Sequence, residues 1–259
     1  MKYTAIVSSD WNECLAPCGS FDPISFVFPD LGPELEGIFR QYTSNEIPLT
    51  EATRRISALM PGPVTQEKMD EYLQSSFRTY RGVPELIEWC LSRGILFMIN
   101  TTGLQGFFQR VFAKNLLPPV PIVAANPMIR FSGMEDDPRY WLVVQEIEDK
   151  PRNTELVSRS HGVPPKKVIV IGDSAGDGPH FRWAAENGAF LIASMAKPSL
   201  LSYCKRQGIS VHKHFGVSYG PMQARNLQKK LQVNFLDLRD FIKALLGIPC
   251  LGRDRTYLE

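Results

Sequence analysis

Four short apolar runs, each ending in polar or small residues, set the strongest limit on how this chain can fold. They are "YTAIVSS" (3–9), "GILFMINTTG" (94–103), "KKVIVIGDS" (167–174) and "GAFLIAS" (188–194). Continuous apolar runs of this length fit strands buried on both faces, and such strands belong to parallel sheets covered by helices. Helical patterns separate them. "GVPELIEWCLSRG" (82–94) precedes the second run, "GFFQRVFAKNLL" (106–117) follows it, and "GPHFRWAAENG" (178–188) follows the third. Pro84 suits a helix start and Gly94 a helix end. The alternation predicts an α/β protein with a doubly wound, parallel, Rossmann-like sheet. "IVAANPMIRFSG" (122–133) reads as a hairpin around Asn126-Pro127, with a helical stretch near 139–161 after it.

Residues 15–81 break that rhythm. Apart from "ISFVF" (24–28), a possible strand, they read as helices: "GPELEGIFRQYTSN", "PLTEATRRISALM" and "TQEKMDEYLQSSFRTY". Thr50 and Thr65 are plausible helix starts, and Pro48, Pro61 and Pro63 punctuate the segment. The expected organisation is a core of residues 1–14 and 82–259 with an inserted helical cap, 15–81. An insertion at that point is placed to cover a site at the strand ends. The tail "QVNFLDLRDFIKALLGI" (232–248) has helical periodicity and is expected to pack on the core.

Ligands of open parallel sheets bind outside the carboxyl ends of the strands. There the first run ends in Asp10 and Asn12, the second in Asn100, Thr101 and Thr102, and the third in Asp173 and Ser174, with Asp177 beyond. Clustered carboxylates repel one another unless a cation neutralises them. A hard, oxygen-lined site of this kind suits Mg²⁺ and a substrate phosphate. An aspartate there can attack phosphorus as a nucleophile. The lysine such a site needs is chosen by position. Lys166 and Lys167 stand at the entrance of the third strand, the wrong end, whereas Lys150 precedes a helical run that leads back to it. Lys150 can therefore sit at the exit edge and reach Asp10.

The totals exclude several classes. With 29 basic and 27 acidic residues the net charge is +2, which gives no electrostatic footprint for nucleic acid. The five cysteines are scattered, and Cys14 with Cys18 lacks the second pair of a zinc site. No run reaches the ~18 apolar residues of a spanning helix. No secretory pattern opens the sequence, so no membrane partner and a cytoplasmic location are expected.

In this order the residues resemble the haloacid dehalogenase-like hydrolase superfamily. Its pattern is a strand ending in D-x-D-x-T, a second ending in Ser or Thr, a lysine, then a strand ending in G-D-x-x-x-D. Here Asp10-Trp11-Asn12-Glu13-Cys14, Thr101 in "NTTG", Lys150 and "GDSAGD" look like these. "NTTGLQGFF", "AANPMIRFSG" and "KPRNTELVSRSHGVPPKKVIVIGDSAGD" look most like the branch of phosphoserine phosphatase and 2-hydroxy-3-keto-5-methylthiopentenyl-1-phosphate phosphatase. The resemblance implies Asp10 as nucleophile and Mg²⁺ ligand, and Asn12 as a ligand through its backbone carbonyl. It implies Thr101 on the transferring phosphoryl group and Lys150 neutralising Asp10 and the phosphate. It implies Asp173 on the metal, with Asp177 holding the metal through water or orienting Lys150. The expected substrate is a small phosphorylated metabolite.

Asn12 departs from the pattern, whose second Asp protonates the leaving oxygen and then deprotonates water. An amide cannot carry that proton. Losing a general acid–base typically costs ~10²–10⁴ in rate. The fifth position is Cys14 instead of Thr. Glu13 is adjacent but expected to point elsewhere; Glu34, Glu36 and Glu46 of the insertion could also supply a proton. The expected function is an Mg²⁺-dependent phosphatase working through an aspartyl-phosphate, with a phosphate-binding pseudoenzyme as alternative. Carbon–phosphorus hydrolysis would need a cap lysine, and Lys68 is the one available. Carbon–halogen cleavage needs no metal, and Asp173 with Asp177 speaks against it. His180 is expected on a helix surface, and Trp11 either beside the nucleophile or packed under the insertion.

Overall fold

The computed structural model describes residues 2–43, 46–132, 137, 139–220, 223 and 226–248. Its strands are β1 (Ala5–Ser9), β2 (Ile95–Leu104), β3 (Ile122–Asn126), β4 (Tyr140–Val143), β5 (Val168–Gly172), β6 (Phe190–Ser194) and β7 (Lys213–Phe215). Its helices are α1 (Asp22–Val27), α2 (Gly32–Thr43), α3 (Leu49–Leu59), α4 (Gln66–Ser76), α5 (Val83–Ser92) and α6 (Gln105–Ala113). After these come α7 (Asp149–Ser160), α8 (Gly178–Glu186), α9 (Pro198–Gln207), α10 (Leu227–Leu231) and α11 (Leu238–Leu246). The strands form one sheet in the order β4-β3-β2-β1-β5-β6-β7, every pair parallel. This is the doubly wound α/β architecture expected from the apolar runs.

β1, β2 and β5 are buried along their whole length, as strands covered on both faces must be. The strand order reverses at β1, with β2 on one side and β5 on the other. A crevice opens outside the carboxyl ends at such a point. Register sets its contents: Ser9 lies level with Ile99 of β2 and Ile171 of β5. Asp10 and Asp173, the residues just past β1 and β5, therefore emerge beside Asn100 and Thr101, which lie within β2.

Two expectations on the β3 side are corrected. No hairpin forms across 122–133 among the described residues, because Ile122–Asn126 joins the sheet parallel to β2. Asn126 ends that strand itself: its Oδ1 accepts from the Met128 N–H at 2.9 Å and its Nδ2 donates to the Val144 carbonyl at 3.0 Å. The helix expected near 139–161 begins only at Asp149, and Tyr140–Val143 is strand β4.

The inserted segment is helical, and "ISFVF" belongs to α1 instead of a strand, with Pro23 in its first turn. Thr65 caps α4 as expected, accepting from the Lys68 N–H at 3.3 Å. Thr50 does not cap α3. Pro48 precedes that helix, and its free N–H groups on Leu49 and Thr50 donate to Glu146 at 2.9 and 3.0 Å. The cap is thus supplied from 97 residues away and ties the helical segment to the loop before α7. A second tie joins α4 to α6, where the Arg110 guanidinium grips the Asp70 carboxylate at 2.7 and 2.9 Å. Trp11, fully buried, stacks on Phe77 and meets the edge of Phe108, which settles it as packing under the helices. The tail packs on the core as expected, with Leu238, Ile242 and Leu246 of α11 buried and Phe235 stacked on Tyr80. Among the described residues no helix is long and apolar enough to cross a membrane.

Candidate active site

A cavity of about 740 Å³ lies between the strand ends and the helical segment, with Asp10, Asn12, Glu13, Tyr42, Lys150 and Asp173 in its wall. Asp10 is held by its backbone N–H, which donates to the Ile171 carbonyl at 2.9 Å. Its carboxylate lies 3.2 Å from the Lys150 ammonium. Burial pushes the Asp10 carboxyl up, the Lys150 charge opposes this, and Asp177 adds to the rise.

Lys150 sits in the first turn of α7 with its side chain almost wholly buried, at the exit edge where its position in the chain placed it. Its ammonium donates to Asp177 at 2.7 Å. Burial alone would lower its pKa, but the charges of Asp10 and Asp177 hold it above the usual lysine range. The backbone beneath it is fixed by Asn100, whose amide donates to the Lys150 carbonyl at 2.8 Å and to Thr154 at 3.1 Å. Thr154 also bonds Ser8 at 2.8 Å and the His180 Nε2 at 2.8 Å. His180 therefore faces inward, contrary to expectation, and burial followed by the Lys150 charge lowers its pKa to about 3. It stays neutral there.

Asp177 uses both oxygens internally. One takes the Lys150 hydrogen bond, and the other accepts the N–H groups of Asp173 and Ser174 at 2.9 and 3.2 Å. These donors and the lysine outweigh burial and keep its pKa low. Gly172 makes the arrangement possible, since a Cβ there would stand 2.6 Å from the Asp177 carboxylate. Asp173 is different. Its Oδ1 is buried without a hydrogen-bond partner, and burial carries its pKa up to about 7 against the pull of Lys197. One oxygen from each of Asp10, Asp173 and Asp177 lies within 4.8 Å of the others. An orphaned carboxylate oxygen in an all-oxygen cluster fits Mg²⁺.

Thr101 and Asn12 meet each other. The Thr101 hydroxyl donates to Asn12 Oδ1 at 3.0 Å, and the Asn12 amide donates to the Cys18 carbonyl at 3.3 Å. Of the two threonines, Thr102 is the one in the cavity wall. Glu13 does not point away. Its backbone is left-handed, φ 58°, and its carboxylate reaches the Lys197 ammonium at 2.6 Å. Lys197 also pairs with Asp173 at 2.7 Å, and its backbone N–H donates to the Asp173 carbonyl at 2.7 Å. Sequence reasoning missed Lys197, although it stands three residues past β6 and the criterion that chose Lys150 applies to it. It also missed Tyr42, which carries no local signal. Lys68 pairs with Glu71 at 2.7 Å on the outer face of α4, outside the cavity wall. Glu34 and Glu36 are likewise exposed and outside it, and Glu46 is at its rim.

No protein-family model matches the chain. A phosphoserine phosphatase of Albidiferax ferrireducens is 27% identical over 152 residues, which are 57% of this chain and 62% of that protein. The chain thus spans less than two thirds of that relative's length. Solved structures match more of it. A phospho-aspartyl intermediate analogue of phosphoserine phosphatase superposes with a TM-score of 0.64 at 14% identity, covering 93% of this chain and 100% of that one. A substrate-bound phosphoserine phosphatase gives 0.64 at 16% identity over 94% and 100% of the two chains. A HAD family hydrolase of Salmonella enterica serovar Typhi gives 0.61 at 15% identity over 89% and 72%. The fold is that of the haloacid dehalogenase-like hydrolases.

Proposed function

We propose that this chain is an Mg²⁺-dependent phosphatase that hydrolyses a small phosphomonoester through an aspartyl-phosphate on Asp10. The observation that carries the reading is the placement of Asp10. It is a buried carboxylate at the exit of the central strand, 3.2 Å from a buried lysine, and it opens on a cavity of about 740 Å³. The likeness to phosphoserine phosphatases supports phosphorus as the centre attacked.

In this reading Asp10, Asp173 and the Asn12 carbonyl hold the cation, with Asp177 acting through water and on Lys150. A bound Mg²⁺ supplies positive charge to the phosphoryl oxygens. Asp10 attacks phosphorus, and Lys150 offsets the charge of nucleophile and phosphate. Thr102 offers a hydroxyl from the cavity wall, while Thr101 fixes Asn12. Residues 15–81 act as a cap that keeps bulk water from the intermediate.

One observation favours a second reading. The Asn12 side chain is hydrogen-bonded through both its oxygen and its nitrogen and cannot exchange a proton as an acid or base, so the site can bind phosphate without turning it over. Phosphate release from an aryl phosphate and a panel of small alkyl phosphomonoesters, with Mg²⁺ and with chelator, separates the two. A phosphatase turns over with Mg²⁺, loses activity as Asp10→Asn, and yields a phosphorylated Asp10 after acid quench. Asn12→Asp should then raise alkyl-ester rates by up to ~10², and by less where another group already supplies the proton. Metal-dependent phosphate binding with no release from any ester would establish the binding protein instead.

A further inference from the structure

A phosphatase with Asn12 in this position needs its leaving group protonated by something else, and the cavity wall narrows the choice. Lys150 and Lys197 are each clamped between two carboxylates, and Glu13 and Asp173 are the partners of Lys197. The aliphatic hydroxyls in the wall, such as Thr102 and Ser174, are no more acidic than the alcohol that must leave. Glu46 is exposed at the rim.

Tyr42 remains. It lies in the last turn of α2, is 8% exposed, and is part of the cavity wall. Its hydroxyl rests over the bare backbone of Gly176, 3.9 Å from where a Cβ would stand. It faces Thr102 and lies in the fields of Lys150, Asp10 and Asp177. In-line displacement puts the attacking and leaving oxygens on opposite sides of phosphorus. With Asp10 at the sheet edge, the leaving oxygen faces the helical segment that carries Tyr42.

We propose that Tyr42 is the catalytic acid and base that replaces the missing carboxylate; this rests on the phosphatase reading. Asp10 Oδ forms a bond to phosphorus as the ester P–O bond breaks, and the Tyr42 proton passes to the leaving alkoxide. Water then attacks the aspartyl-phosphate, the Asp10–phosphorus bond breaks, and the water's proton returns to the phenolate. Tyr42 ends as it began. Burial, the larger influence, pushes its hydroxyl up to about 12 against the pull of Lys150, so the protonated form is present at neutral pH. A phenolate is still far less basic than an alkoxide, so the transfer runs in the productive direction.

The test compares alkyl with aryl esters, because aryl leaving groups need little acid help. Tyr42→Phe keeps the ring and its packing. Its fractional loss should be at least about thirtyfold greater on alkyl than on aryl phosphates, and Asn12→Asp in the same chain should restore the alkyl rate. Wild type needs no variant for a second measurement: across esters of rising leaving-group pKa its rate should fall only shallowly. Equal losses on both ester classes, a steep wild-type dependence, or the selective loss appearing in Glu46→Gln instead would overturn Tyr42 and leave the phosphatase standing. A wild type inactive on both classes removes the phosphatase reading and this proposal together.

Discussion

Arg54 and Glu51 on α3 approach to 2.8 Å, and Lys68 and Glu71 on α4 to 2.7 Å. Lys150 meets Asp177, and Lys197 meets Asp173, at the same 2.7 Å. Distance does not tell these two sets apart; burial does. The helical pairs stand in water, where solvent screens the attraction and two long side chains lose freedom to make it. The strand-end pairs have given up hydration, so each partner depends on the other. One region spends charge on solubility. The other holds buried charge at the strand exits beside the cavity, where the proposed function places a cation and a phosphate.

The sharpest break in that comparison is Lys150→Met, which strands Asp10 and Asp177 without their common cation. Unfolding in urea should show a loss of ~3–5 kcal/mol, and phosphate release should fall by ~10²-fold or more. A variant as stable as wild type would place the strand-end pairs with the surface ones.

His180 sharpens it from the neutral side. Its folded pKa, about 3, lies below the ordinary histidine value, so between pH 6.5 and 3 the unfolded chain takes a proton that the folded chain refuses. Its share of stability is intact above pH 6.5 and is lost as pH falls through that window. Against His180→Asn, wild type should lose ~1.4 kcal/mol per pH unit between pH 6 and 4, read from denaturant midpoints. Parallel profiles would mean that His180 titrates normally.

Lys68→Met gives the smallest effect. Its side chain is 51% exposed, and its removal should leave both the unfolding midpoint and the rate of phosphate release unchanged within error. A clear loss of stability would erase the distinction between the two regions.

The pattern of buried runs carried most of the fold, because parallel strands must be apolar on both faces and that demand is written locally. β1, β2, β5 and β6 were legible for this reason. β4 was not: it is a short edge strand with Tyr140 and Val143 exposed, and its pattern overlaps that of the helix after it. Asp10, Lys150, Asp173 and Asp177 could be named from their positions relative to strand exits, and the structure brings them together. Lys197 obeys the same positional logic and was passed over. Glu13 was misplaced because its orientation depends on a left-handed backbone that a glutamate rarely adopts.

The sequence by itself determined the sheet, the strand ends that carry carboxylates, and Asn12 at the position where the pattern it resembles has an aspartate. These follow from apolar runs and residue identity, which need no knowledge of distant contacts. Only the tertiary structure decided what meets those groups. Glu146 caps a helix 97 residues away, His180 turns inward to Thr154, Lys197 closes on Asp173, and Tyr42 comes down over Gly176. Each of these is a contact between residues far apart in the chain. Chain spacing along one element cannot encode such a contact; it is fixed only when the helices pack over the sheet.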